Sequence, residues 1–243
     1  MVQVFREPGV GLAYEFREGS GPVVVFCSGY GSDMGGTKAM RLWEFCGRRG
    51  QAMLRFDYAG HGASGGRFED GCIGDWAADA AFIIGAVVPG REVVLVGSSM
   101  GGWIALLRAR ALGALVRGMV LIAPAPDFTE DLTLRRLSAA QLEALRRDGV
   151  IYPPSEYGAP MPLTLKLLED GAKHLLLNGV IPITCPIRIL HGMRDPDVPW
   201  EQSLKLAASL ASDDVRLIFV KDGDHRLSRE QDLVLLEAIV GES

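Results

Sequence analysis

Short apolar, β-branched runs alternate along this chain with longer segments of helical period, a pattern that predicts a mostly parallel sheet covered by helices on both faces. Val2–Arg6 and Leu12–Phe16 read as opening antiparallel strands joined through Pro8-Gly9. Pro22–Cys27 and Glu92–Gly97 are near-continuous apolar runs, as expected of strands buried on both sides. Further strands are predicted over Ala52–Asp57, Met119–Ala123, Ile187–His191 and Val215–Val220. Helical patterns fall between them over Gly36–Arg48, Asp75–Val87, Trp103–Ala111, Glu201–Ala211 and Arg229–Val240.

The alternation breaks over residues 127–182. Amphipathic helices are predicted at Ala139–Arg147 and Leu163–Leu177, separated by the proline-rich stretch Tyr152–Pro162. The sheet pattern then resumes. The expectation is one domain over residues 1–243, with a small helical cap inserted at about 127–182.

Composition narrows the classes of function. Apolar residues make up 48% of the chain and charged ones 23%, so a large core is available and disorder is disfavoured. Net charge is −5 and no basic block exceeds an Arg-Arg pair, which argues against nucleic acid as a partner. No apolar run reaches membrane-spanning length. The N-terminus also lacks the apolar stretch of a signal peptide, so a cytoplasmic protein is expected. The four cysteines, Cys27, Cys46, Cys72 and Cys185, have no metal-ligand spacing, so no metal and no other cofactor is expected.

The chemistry concentrates at Gly97-Ser98-Ser99-Met100-Gly101, a G-x-S-x-G placed after a predicted strand and before a helix. A serine on that sharp turn needs small neighbours, because side chains there would clash, and its hydroxyl then projects at the carboxyl edge of the sheet. Ser99 is the candidate nucleophile; Ser98 lacks the symmetric glycines. Such a serine needs a carboxylate and then a histidine later in the chain. His191-Gly192-Met193-Arg194-Asp195-Pro196-Asp197 follows a strand and offers Asp195, with Asp197 as rival. His225, just after the last strand, is the one histidine beyond that acid. His61 and His191 read as structural, and His174 as a residue of an insertion helix.

Two amide donors should stabilise the oxyanion: the N–H of Met100 and, from the loop after Pro22–Cys27, that of Tyr30, toward which Gly29 lets the backbone turn. Asp57–Ser64 is expected to shape the pocket wall, with Asp57 as a backbone anchor. Trp103 and Trp200 are candidate lining residues, though core is the commoner role for aromatics at such positions. No GK[ST] supports nucleotide hydrolysis.

On these motifs the chain resembles the α/β-hydrolase superfamily over nearly its whole length. More narrowly, it is similar to the palmitoyl-protein thioesterase group, also described as mycophenolic acid acyl-glucuronide esterases, and its bacterial relatives. That likeness rests on Gly29-Tyr30-Gly31-Ser32-Asp33-Met34, Gly36-Thr37-Lys38-Ala39, Arg55-Phe56-Asp57-Tyr58, Gly97–Trp103, Cys185–Met193 and Asp224-His225-Arg226. The resemblance implies an α/β-hydrolase fold and hydrolysis of acyl thioesters or activated esters on small-molecule or acylated-protein substrates. It assigns Ser99, Asp195 and His225 the family's catalytic roles. A small-molecule carboxylesterase or lactonase is the alternative within the enzymes, and a non-catalytic binding protein the alternative outside them. Dehalogenase or epoxide-hydrolase relatives carry a carboxylate where this chain has Ser99.

Overall fold

The computed structural model describes residues 2–7, 9–154 and 160–242. Its centre is an eight-stranded sheet formed from β1 (Val2–Glu7), β2 (Val10–Arg17), β3 (Ser20–Cys27), β4 (Gln51–Phe56), β5 (Val93–Ser98), β6 (Val116–Ile122), β9 (Ile187–Gly192) and β10 (Val215–Val220). The small strands β7 (Val150–Ile151) and β8 (Leu163–Thr164) form a separate antiparallel pair. Across the main sheet the order is β1-β2-β4-β3-β5-β6-β9-β10. Pairing is antiparallel for β1–β2 and β2–β4, and parallel from β4 to β10.

Each central strand feeds two cores, because successive side chains point to opposite faces. Val23 and Val25 of β3, with Leu95 of β5 and Leu121 of β6, pack against α2 (Ile73–Val87) and α3 (Met100–Leu112). The alternate residues Val24, Val96 and Val120 pack against α1 (Thr37–Arg49) and α7 (Glu230–Gly241). This two-sided burial is why the strands read as unbroken apolar runs. On the first face, α6 (Glu201–Ser209) adds buried Leu206.

Between β6 and β9 the chain leaves the sheet. It makes a π-helical turn at Thr129–Leu134, α4 (Ala139–Asp148), the β7–β8 pair and α5 (Leu165–Gly171). Helix α4 carries a capping box in which Ser138 and Gln141 satisfy each other's backbone amides. The expected helix Leu163–Leu177 is shorter than its pattern. Leu163 and Thr164 pair with Ile151 and Val150, and Thr164 then caps α5. The helix stops at Gly171, where a Cβ would lie 2.4 Å from Thr129 Oγ1. His174 therefore sits in a turn beyond the helix, contrary to expectation. Pro8 of the expected first turn, and residues 155–159 of the proline-rich stretch, lie outside the described residues.

Buried Asp127 holds this excursion closed. Its Oδ1 and Oδ2 accept the N–H groups of Leu176 (2.8 and 3.0 Å), and Oδ2 also that of Leu177 (2.8 Å). Among the described residues no helix is long and apolar enough to cross a membrane. Asp127→Ala is expected to strand two buried amides and lower the unfolding free energy by about 3 kcal/mol, measured by urea denaturation. A change below about 0.5 kcal/mol, the range of surface substitutions, would show that the anchor is dispensable.

Candidate active site

Ser99 lies between β5 and α3 with φ 55° and ψ −121°, a conformation that non-glycine residues rarely hold. Close backbone approach enforces it. A Cβ on Gly97 would stand 2.4 Å from Gly101 O, and one on Gly101 would stand 2.0 Å from Cys27 O. The glycines that flank the serine are thus required by contact as well as by pattern. Ser99 N–H donates to Ile122 O and Ser99 O accepts from Gly102 and Ala125, so the turn is tied to β6 and to the loop after it.

Asp195 and His225 reach Ser99 from the carboxyl ends of β9 and β10. His225 Nε2 is 3.0 Å from Ser99 Oγ, and His225 Nδ1 is 2.7 Å from Asp195 Oδ2. A Cβ on Gly192 would lie 2.4 Å from Gly223 O, so glycine at 192 lets the two loops close together. The Asp195 side chain is fully buried. Its Oδ1 accepts the N–H groups of Asp197 and Val198, each at 2.8 Å. Its Oδ2 is shared by His225 and His191, the latter at 3.1 Å. Burial pushes this carboxyl up, but hydrogen bonds from both imidazoles, the charge of His225 and the Val198 amide outweigh it and hold it well below the usual carboxylate range.

Sequence reasoning left His191 a purely structural residue, and its link to the acid is new. His191 Nε2 faces two acceptors, Asp195 Oδ2 and Val198 O at 3.0 Å, so it carries the proton. Nδ1 is 2.6 Å from buried Ser203 Oγ on α6. The four-residue spacing from His191 to Asp195 was the available signal. The rival Asp197 lines the cavity, and its recorded bond is a backbone one onto Asp195. Asp195, Asp197 and His225 are the one group among the described residues whose ligand-type atoms gather within 4.8 Å. Both nitrogens of His225 are already engaged by Asp195 and Ser99, which suits proton transfer better than ion binding.

Facing Ser99 is the loop after β3. The amides of Gly31, Ser32 and Met34 in this loop donate to His61, Gly29 O and Asp57, while among the described residues Tyr30 N–H has no acceptor. Met100 N–H opens α3, where helix amides have no partner within the helix. Gly29 packs close to the serine: a Cβ there would lie 3.4 Å from Ser99 Cβ. The loop is braced from behind. Gly31 N–H donates to His61 Nε2 (3.3 Å), whose Nδ1 faces Ala59 O, and burial lowers the His61 pKa and so favours the neutral ring that can accept. Asp57 accepts from Met34 N–H and Ala63 N–H, acting as the expected backbone anchor. Residues 57–64 do not line the cavity, however; they stand behind the loop that does. Trp103 and Trp200 are also absent from the lining. Trp103 is buried and donates to His174 O, and Trp200 packs on Phe219.

The cavity itself has a volume of about 760 Å³ and opens over Ser99 and His225. Its apolar wall comes largely from the excursion between β6 and β9, through Phe128, Leu132, Leu137, Met161 and Leu163. Tyr30 Oη donates to Pro162 O at 2.5 Å, linking that wall to the loop facing the serine.

The sequence profile of the alpha/beta hydrolase family matches residues 24–238. Human palmitoyl-protein thioesterase ABHD10, mitochondrial, is 38% identical over 227 residues, which cover 93% of this chain and 74% of that protein. Among solved structures, a putative hydrolase from Agrobacterium vitis S4 superposes with a TM-score of 0.94 at 42% identity, covering 99% of this chain and 96% of the other. Mouse alpha/beta hydrolase domain-containing protein 10 gives a TM-score of 0.90 at 34% identity, with coverage of 99% and 96%.

One consequence concerns acid stability. Because the Asp195 carboxyl is depressed in the folded state, its contribution is complete above the unfolded-chain value near ~4 and is lost as pH falls toward the folded value. His191→Phe removes one donor and raises the folded value, so the carboxylate contributes less stability above that point and its contribution is exhausted at higher pH. The midpoint of acid unfolding, followed by circular dichroism, should therefore move upward; an unmoved midpoint would separate His191 from the acid.

Proposed function

The chain belongs to the α/β-hydrolase family, and from that membership we propose that it cleaves acyl thioesters or carboxylic esters through an acyl-enzyme intermediate at Ser99. The observation that carries the reading is the unbroken hydrogen-bonded line from Ser99 Oγ through both nitrogens of His225 to Asp195. Ser99 Oγ attacks the acyl carbonyl while His225 Nε2 takes its proton. Asp195 orients the ring and stabilises the imidazolium. The N–H groups of Met100 and Tyr30 meet the negative charge that develops on the carbonyl oxygen. His225 then gives the proton to the departing alkoxide or thiolate. Water, activated by the same ring, releases the acid and restores Ser99.

We read residues 127–182 as a cap on a single domain. Its apolar wall holds the acyl chain, and the similarity to a palmitoyl-protein thioesterase supports a thioester substrate on a small molecule or an acylated protein. A cytoplasmic location is part of the same reading; the mitochondrial label belongs to the relative's name.

Ser99→Ala should abolish both turnover of short p-nitrophenyl esters and labelling by a fluorophosphonate probe. Persistent turnover would reject Ser99, and a folded wild-type protein that resists labelling would return the chain to the non-catalytic alternative. Asp195→Asn, with the protein still folded, is expected to lower kcat by about 10⁴-fold, because an amide at this position favours the His225 tautomer with its proton on Nε2, which cannot accept from Ser99. Acyl-cysteine peptides should give higher kcat/KM than simple esters of the same acid. The opposite ranking would make the chain a small-molecule carboxylesterase or lactonase.

A further inference from the structure

The acyl chain accounts for the apolar wall and leaves a second recess without a role. This recess, of about 230 Å³, lies at the junction of the loop after β3, the start of α1 and the turn after His225. It shares Gly29, Ser32, Lys38, Ser98 and Arg226 with the main cavity, so the two are continuous beside Ser99. Its character is different. Beside Phe26 and Ala39 its lining is small and polar, with Ser28, Thr37, Lys38, Arg226 and Ser228.

Three features of this recess favour negative charge. Lys38 is half-buried, its Nζ donates to Arg226 O at 2.5 Å, and among the described residues it has no carboxylate partner. Burial and the nearby Arg226 guanidinium lower its pKa to about 8, against the opposing pull of Asp224 and Asp232. Those acids are engaged elsewhere: Asp224 accepts from Leu227 N–H, and Asp232 is held by Arg229. Second, α1 begins beside the recess with Gly36 as its N-cap, no side-chain cap and no acidic residue in its first turn, so the positive end of the helix faces the recess without a cap of its own. Third, Ser28 lines the recess at 1% exposure and among the described residues its Oγ has no hydrogen-bond partner, an uncommon state for a buried hydroxyl. The acid in the lining, Asp33, spends Oδ1 on Gly35 N–H.

We propose that this recess is a subsite for an anionic group, a carboxylate or a phosphate, carried by the leaving group of the substrate and held by Lys38 and Arg226 at the start of α1. The inference rests on the reading of Ser99 as the acylated residue. With the acyl chain along the apolar wall, the other substituent of the scissile carbonyl is directed to the remaining, polar branch of the cavity. An anion there supplies the counter-charge that Lys38 lacks, through hydrogen bonds strengthened by charge.

The test compares a nitrophenyl ester with its carboxylated and phosphonylated analogues, all bearing the same short acyl group. In the wild type, kcat/KM for at least one anionic ester should exceed that of the neutral one by about tenfold. Which anion gains more tells a carboxylate source from a phosphate source. In Lys38→Met the ratio should fall to near one, and Lys38→Arg should restore part of it. A wild-type ratio near one, or one unchanged in Lys38→Met, would overturn the subsite. A second readout does not depend on turnover. Inorganic phosphate should raise the Tm of Ser99→Ala protein, and that rise should vanish in Ser99→Ala/Lys38→Met. No rise in Ser99→Ala would again overturn the subsite, whereas a rise in a protein without Ser99-dependent turnover would uphold anion binding and reject the hydrolase reading.

Discussion

A carboxylate taken wholly out of water needs its charge met by donors, and at Asp195 four of them converge. Two are backbone amides of its own loop and two are imidazoles, one on the way to Ser99 and one anchored to α6 through Ser203. Much of the surrounding architecture follows from satisfying that charge. Strands β9 and β10 run parallel in register, so that their carboxyl ends deliver Asp195 and His225 to one place. The loops that follow must pack closely enough to exclude water, which the bare Cα of Gly192 against Gly223 permits. Strain in the turn at Ser99 is sustained in the same way, by backbone contacts that leave the serine no alternative.

Much of this was legible in the chain because it is written in short-range terms. Apolar runs with glycine at their ends reveal buried parallel strands, and the order serine, acid, histidine reveals which loops must meet. The likeness of Gly97–Trp103 and Cys185–Met193 to a known family pointed the same way. The readings that failed depended on contacts between distant segments. The helical pattern of Leu163–Leu177 gives no hint that Leu163 and Thr164 pair with Ile151 and Val150, or that Gly171 packs against Thr129 where the helix ends. Asp57–Ser64 looked like pocket wall because it is glycine-rich and polar. In space it stands one layer back, where Asp57 and His61 hold the backbone of the loop that faces Ser99. Trp103 has the size to line an acyl pocket, yet it takes the core role that aromatics at such positions more often have.

The two branches of the cavity express a division of labour between sheet and excursion. Loops at the sheet's edge contribute Ser99, Asp195 and His225, held by backbone hydrogen bonds to Ser99 and Asp195. The excursion contributes bulk apolar side chains, whose fit is a matter of volume. The bond from Tyr30 Oη to Pro162 O joins these regimes, so the wall and the proposed oxyanion loop share one point of attachment.

The closure at Asp127 has an evolutionary side. Since one buried carboxylate gathers both ends of a segment of roughly fifty residues, whatever lies between those ends can vary in sequence and length without pulling on β6 or β9. Such an arrangement lets a lineage drift from one acyl group to another by rebuilding a peripheral module, while the reactive centre descends unaltered.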